Sequence, residues 1–138
     1  MDRFEEFLKE LGRQIDVPLH PDTRRICRIN VNQALHVQLE YDEGKERVLF
    51  ATFLCDIPPG KFREEVFKEA LKANGVFPRA GTLGFSDRNN KMALFDSLSI
   101  HERVGEKTTA FLFSFIETAR QWKEAIEGGR TAPPPKMK

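Results

Sequence analysis

Residues 61–98 set the strongest limit on the architecture of this 138-residue chain, because a helical pattern is followed there by two strand patterns. Apolar side chains recur at helical spacing, at Phe62, Val66, Phe67, Ala70 and Leu71. This spacing predicts a helix over Lys61–Asn74, and Gly75 is expected to end it in the left-handed conformation. Strands are predicted over 82–86 and 91–98, on either side of the turn sequence DRNN. No cluster of acid, base and nucleophile accompanies them, so the segment is expected to contact protein.

The rest of the chain predicts two more helices and three more strands. Helical spacing of apolar residues predicts helices over 2–15 and from near Gly105 to 127. Alternating residues predict strands over 27–32 and 35–41, and a third strand follows over 48–55. The predicted order is α-β-β-β-α-β-β-α. This is an α+β fold in which helices pack against a twisted antiparallel sheet.

The strand predicted over 48–55 is largely apolar on both faces. An antiparallel strand with one face in water should alternate, so its second face must be covered within the monomer or by a partner. If the second and third helices share the inner face of the sheet, the first helix and the outer face of this strand have less to pack against. Exposed apolar surface of this kind usually marks a binding site.

Length and composition favour a single α+β domain over 1–128, followed by a disordered basic and proline-rich tail over 129–138. The net charge of +1 provides no global attraction to nucleic acid or to anionic membrane. The charged N-terminus indicates neither a signal peptide nor a membrane span, so we expect no membrane insertion. A small basic cluster at Arg24, Arg25 and Arg28 is either a solvated edge or a contact for an acidic partner.

No motif in the chain predicts catalysis. The three histidines are scattered without a second metal ligand at helical spacing. Cys27 and Cys55 form no CxxC motif, and Cys27 shares the apolar face of its strand, so a reduced, buried thiol is expected. The glycines at 81 and 84 lack the Lys-Ser/Thr ending of a phosphate loop and lead into a strand. We therefore expect a protein that is not an enzyme and has no cofactor and no metal.

Two segments resemble class I type III secretion chaperones, small homodimeric proteins that escort effectors to the bacterial injectisome. LKANGVFPRAGTLGFSDRNNKMALFDSL, residues 71–98, resembles the family pattern of a helix ending in Asn-Gly, a Gly-rich approach and an apolar strand. FIETARQWKEAI, residues 115–126, resembles the last helix of the family. The order and spacing of the elements agree over about residues 2–127, and the tail lies outside the pattern.

The resemblance implies a homodimer in the bacterial cytoplasm that binds the N-terminal chaperone-binding segment of one or more effectors and keeps it soluble and secretion-competent. It also implies contact with the secretion apparatus. The implied dimer interface consists of Phe67, Leu71, Val76, Phe77, Leu83 and Phe85. The implied cargo-binding residues are Phe4, Phe7, Leu8, Leu11, Ile29, Val31, Leu35, Val37, Phe50 and Leu54. The alternative is a non-catalytic regulatory or adaptor protein of similar fold that binds a folded partner.

Overall fold

The computed structural model describes residues 2–33 and 35–134. The elements are α1 Arg3–Ile15, β1 Ile26–Asn32, β2 Leu35–Asp42, β3 Arg47–Asp56, α2 Lys61–Asn74, β4 Thr82–Ser86, β5 Lys91–Ser99 and α3 Glu106–Glu127. The predicted element order is confirmed, and α2 and β4 have the predicted bounds. Of the predicted tail, Ala132 packs against the hydrophobic core, and residues 135–138 lie outside the described residues.

The five strands form one sheet in the order β1-β2-β3-β5-β4. Every neighbouring pair is antiparallel, which confirms the predicted sheet type. The register shifts between Phe53 and Cys55 where β3 pairs with β5. Leu54 and Cys55 are consequently both buried, although they are adjacent in the strand. This bulge explains part of the apolar character of β3.

All three helices pack against the same face of the sheet, which we call the inner face. In α1, Phe4 stacks on Tyr41 of β2 with ring centroids 6.0 Å apart. The other two helices make similar aromatic contacts, Phe115 of α3 with Phe50 of β3 at 6.3 Å and Phe67 of α2 with Phe85 of β4 at 5.2 Å. These contacts share one hydrophobic core.

The first helix has no spare apolar surface. Phe4, Leu8 and Leu11 have no solvent-exposed surface, and Phe7 is also buried. The expectation that α1 has less to pack against is therefore wrong, because α1 as well as α3 lies over the inner face. The outer face of β3 is different, since within the described residues no helix covers it.

Two polar side chains fix the ends of helices. Asp2 caps α1, with its Oδ1 accepting a hydrogen bond from the Glu5 backbone N–H at 2.8 Å. Gly75 has a φ of −86°, so the predicted left-handed ending of α2 is wrong. Instead the Asn74 side chain leaves the helix and binds the backbone of β4. Its Oδ1 accepts from the Leu83 N–H at 2.8 Å, and its Nδ2 donates to the Leu83 carbonyl at 2.9 Å.

Candidate interaction surfaces

The residues predicted to bind cargo lie in the hydrophobic core, with the exception of Val31, which is exposed. The strand order brings β1, β2 and β3 side by side, and α1 and α3 cover the apolar side chains of these strands. Contact between cargo and the buried members of the set would require part of this core to open. Their role in cargo binding stays a prediction.

The residues predicted to form the dimer interface fall into an exposed and a packed group. Leu71 is 72% exposed and Phe77 is 74% exposed, and Val76 is exposed beside them. We call these three residues the α2-end patch. Phe67 and Phe85 are half-buried and contact each other, and Leu83 is buried. The structure thus places three large apolar side chains in water within residues 71–77, a concentration typical of contact sites.

A second apolar surface lies on the outer face of the sheet, and the sequence predicts it only as the second apolar face of β3. Phe53 is 47% exposed, Phe95 is 48% exposed, and Leu49 is exposed on the same face. We call these three residues the outer-face patch. In the sheet register Phe53 lies opposite Ala93, and Ala51 lies opposite Phe95. Each large side chain therefore faces a small one, and the phenylalanines are diagonal neighbours.

A glycine in β4 makes room for this surface. A Cβ at Gly84 would lie 2.9 Å from Cε1 of Phe95, so the ring rests against the backbone of β4. The only sequence signal for the outer-face patch is that β3 is apolar on both faces. That signal could not identify Phe95, because the sequence of neither strand alone predicts that β3 pairs with β5.

Each edge of the sheet has one residue whose outward backbone groups are occupied within the molecule, and the edges differ in how many outward groups remain. At the β4 edge, the Asn74 amide occupies both backbone groups of Leu83. At the β1 edge, Asp22 uses its backbone N–H and its Oδ1 to bind the carbonyl and the N–H of Ile26. Ile26 therefore points its backbone away from β2, and by the antiparallel alternation Arg28 and Asn30 do the same. Within the described residues no segment pairs with those outward backbone groups.

The basic cluster beside the β1 edge is paired within the molecule. Arg28 forms an ion pair with Asp22 at 2.6 Å, and Arg25 pairs with Asp2 and, at 3.6 Å, with Glu5. The backbone N–H of Ile26, followed by the Arg28 guanidinium, holds the pKa of the Asp22 carboxyl below its ordinary value. These pairs anchor the segment before β1 to the start of α1, and they leave Arg24 as the member without an ion pair in the described residues.

Both cysteines of the chain are free and buried. Burial raises the pKa of the Cys27 thiol, and it raises the pKa of Cys55 to about 11, so both are protonated thiols near neutral pH. The buried position of Cys27 confirms the sequence interpretation. Within residues 2–33 and 35–134, no group of His, Cys, Asp and Glu side chains is arranged to hold a metal. In the same part of the chain, no helix is both long and apolar enough to cross a membrane.

Comparison with known proteins gives one family and several similar structures. A family model for the Tir chaperone protein (CesT) family matches residues 6–123. No curated protein matches the sequence.

Three solved structures have a similar fold. One is that of the HopA1-SchA chaperone-effector complex, with 18% identity, a TM-score of 0.71, and coverage of 89% of this chain and 94% of that chain. Another is the ExsC-ExsE complex, with 20% identity, a TM-score of 0.72, and coverage of 90% and 96%. The third is the Yersinia pestis type III secretion chaperone SycH with a stable fragment of YscM2, with 13% identity, a TM-score of 0.65, and coverage of 84% and 96%. At these identities the matches establish a shared fold.

Proposed function

The chain belongs to the Tir chaperone protein (CesT) family, and on this basis we propose that it is a type III secretion chaperone. It binds the N-terminal chaperone-binding segment of one or more secreted effectors and keeps that segment soluble and competent for secretion. The observation that carries this proposal is the family match over residues 6–123. Further support comes from the similar solved structures, which include a chaperone-effector complex and a type III secretion chaperone bound to a protein fragment.

The β1 edge suits the capture of an extended segment. An added strand would form hydrogen bonds with the outward backbone groups of Arg28 and Asn30 and would place alternate side chains beside the exposed Val31. Each Leu or Phe of the segment that becomes fully buried contributes roughly 1.5–3 kcal/mol of transfer free energy. A few such residues offset the ordering of a disordered segment. Binding of this kind needs no cofactor and no catalysis.

The protein acts as a homodimer that assembles through the α2-end patch. Three large apolar side chains that face water there gain burial when they meet the same patch of a second copy, as an isologous interface requires. Phe67, Leu83 and Phe85 support that surface from beneath. The dimer works in the bacterial cytoplasm and passes its effector to the secretion apparatus.

The experiment that tests the function is copurification of the tagged full-length chain with candidate effectors expressed in the native bacterium. We expect an effector that is recovered through its N-terminal segment and that precipitates when the chaperone is absent. Failure to recover any secreted protein would refute the proposal. Hydrogen exchange of the complex separates it from the adaptor alternative. An extended effector protects separated amides along β1, whereas a folded partner protects one compact area.

A proline substitution tests the β1 edge directly. Asn30→Pro removes an outward backbone N–H that no segment of the described residues uses. We expect this variant to bind a verified effector about tenfold more weakly or worse. The loss of one backbone hydrogen bond and the displacement of the added strand together exceed about 1.4 kcal/mol of binding free energy. Asn30→Ala is the matched control, because it loses the same contact with His36 but keeps the N–H. Equal affinities of the two variants would exclude strand addition at this edge.

A further inference from the structure

The outer face of the sheet carries a pattern of large and small side chains that is complementary to itself. In one row across the sheet Phe53 lies opposite Ala93, and in the next row Ala51 lies opposite Phe95. Large and small side chains therefore alternate in two directions, along each strand and across the pair of strands. Phe53 is 47% exposed and Phe95 is 48% exposed, so both rings project into solvent beside the small residues.

The strands on either side continue this pattern. Gln38 of β2 lies opposite Ala51, and Thr82 of β4 lies opposite Phe95. The next residue of β4 on the same face is Gly84. The outer face is therefore bordered by a long polar side chain on the β2 side and by short residues on the β4 side.

The centre of the outer face has the composition of an interface core. The residues that β3 and β5 contribute there are Leu49, Ala51, Phe53, Ala93, Phe95 and Ser97. None of them is charged, and charge begins at Arg47, whose Nε donates to Ser97 Oγ at 2.6 Å. An apolar centre without charges inside a polar rim is typical of surfaces that bind protein.

We propose that the outer face binds the outer face of a second copy of this chain, about a two-fold axis that runs along the strands between β3 and β5. This axis sets each row of side chains against the same row of the other copy in reverse order. Phe53 then meets Ala93 of the second copy, and Ala51 meets Phe95 of the second copy. The same contacts form twice, as an isologous interface requires, and each ring occupies the space above an alanine.

The bordering strands distinguish this axis from one that runs across the strands. An axis across the strands also places phenylalanine over alanine, but it sets Gln38 against His36, two long side chains, and Thr82 against Gly84, two short residues. The axis along the strands sets Gln38 against Thr82, so a long side chain meets a short one. Two sheets that pack in this way lie about 10 Å apart, with their strands within about 30° of each other.

The area of the outer face agrees with a second copy as its partner. The strands have between 5 and 10 residues. With strands about 4.8 Å apart and about 3.4 Å per residue, the face covers about 600 Å². Two copies would therefore bury about 1,200 Å², the lower end of the range for specific interfaces. The contact uses a surface other than the α2-end patch and covers the second apolar face of β3.

Sedimentation equilibrium of the Leu71→Ser variant, at concentrations up to about 1 mM, isolates this contact, because the substitution weakens association through the α2-end patch. We expect monomers of this variant to associate to dimers. Addition of Phe95→Ala should weaken the association at least about tenfold. Addition of Phe113→Ala, the same truncation of an exposed ring on α3, should leave it unchanged.

A substitution that enlarges the apolar surface separates complementary packing from non-specific adhesion. Ala51→Phe adds apolar area, so non-specific adhesion would become stronger. In the proposed contact the added ring collides with Phe95 of the second copy, and the association should weaken at least about tenfold. The double variant Ala51→Phe/Phe95→Ala exchanges the large and small positions of one row, and it should restore the association to within about threefold of the parent.

Three results would overturn the proposal: no association up to about 1 mM, stronger association of Ala51→Phe, or failure of the double variant to restore association. Weaker effector binding by Phe95→Ala with unchanged self-association would also overturn it and would assign the outer face to the effector. Restored association by the double variant cannot come from a subunit that fails to fold. All comparisons are made within Leu71→Ser, so the result is independent of the α2-end dimer and of the chaperone function.

Discussion

Replacing Leu71 by serine should dissociate the proposed homodimer while leaving the subunit folded. Leu71 is 72% exposed in the single chain, so its removal takes little from the hydrophobic core. A fully buried Leu contributes about 1.5–3 kcal/mol, and the part of Leu71 that remains to be buried by a partner is worth about 1–2 kcal/mol. In an isologous interface the substitution occurs twice, which doubles the loss to about 2–4 kcal/mol. The dissociation constant should therefore rise by a factor of about 30 to about 1,000.

Sedimentation equilibrium from about 0.1 to about 100 μM protein measures this change directly, since the range covers ordinary dimer affinities. Phe113→Ser is the matched control, because Phe113 is also exposed but lies on α3, outside the α2-end patch. Thermal unfolding of both variants checks that the subunits remain folded. An α2-end interface is refuted if the wild type sediments as a monomer throughout this range, or if Phe113→Ser dissociates the dimer as strongly as Leu71→Ser.

Three further substitutions and one control test the fold beneath these surfaces, each by urea unfolding. Asn74→Ala should destabilise the protein by about 1–3 kcal/mol, because both backbone groups of a buried residue lose their partners; a loss no larger than that of an exposed polar residue would contradict the role of Asn74. Gly81→Ala should cost about 1–3 kcal/mol, because φ is +120° and a Cβ would lie 2.7 Å from Cδ1 of Leu94. Gly44→Ala, at an unstrained turn, should cost much less. The buried thiol of Cys55 has a pKa raised from 9.0 to about 11, so its stabilising contribution is complete below pH 9.0 and is lost as the pH rises through 11. Cys55→Ala should reduce the pH dependence across that window, and an unchanged dependence would show that the thiol does not titrate on unfolding.

The order and type of the elements were readable from the sequence because the signals are local. Apolar spacing in α2 and turn residues around β4 define their own segments, and both have the predicted bounds. The family resemblance of residues 71–98 and 115–126 also rests on local patterns, and the family match over residues 6–123 confirms it. What the sequence could not provide depends on contacts between distant segments. The ending of α2 depends on Asn74 reaching Leu83.

The sequence also did not predict which apolar residues are exposed and which are buried. The stripe of α1 was readable, but its burial follows from a strand order that places α1 and α3 together over the inner face. Phe53 and Phe95 become neighbours only through the register of β3 and β5.

The unequal edges of the sheet limit how the protein can polymerise. A fibre of stacked strands grows only from molecules whose two sheet edges both accept another strand. Here the amide of Asn74 occupies the backbone of Leu83 in the way that a neighbouring strand would, which leaves Phe85 as the remaining outward residue of the short strand β4. At the other edge Asp22 occupies only Ile26, and the outward groups of Arg28 and Asn30 stay open. A strand that pairs with β1 therefore extends the sheet by one strand only. Two copies that pair through their β1 strands form a closed pair, which does not add a third copy. A protein that binds unfolded segments benefits from this limit, because the complex with a bound segment cannot nucleate an aggregate.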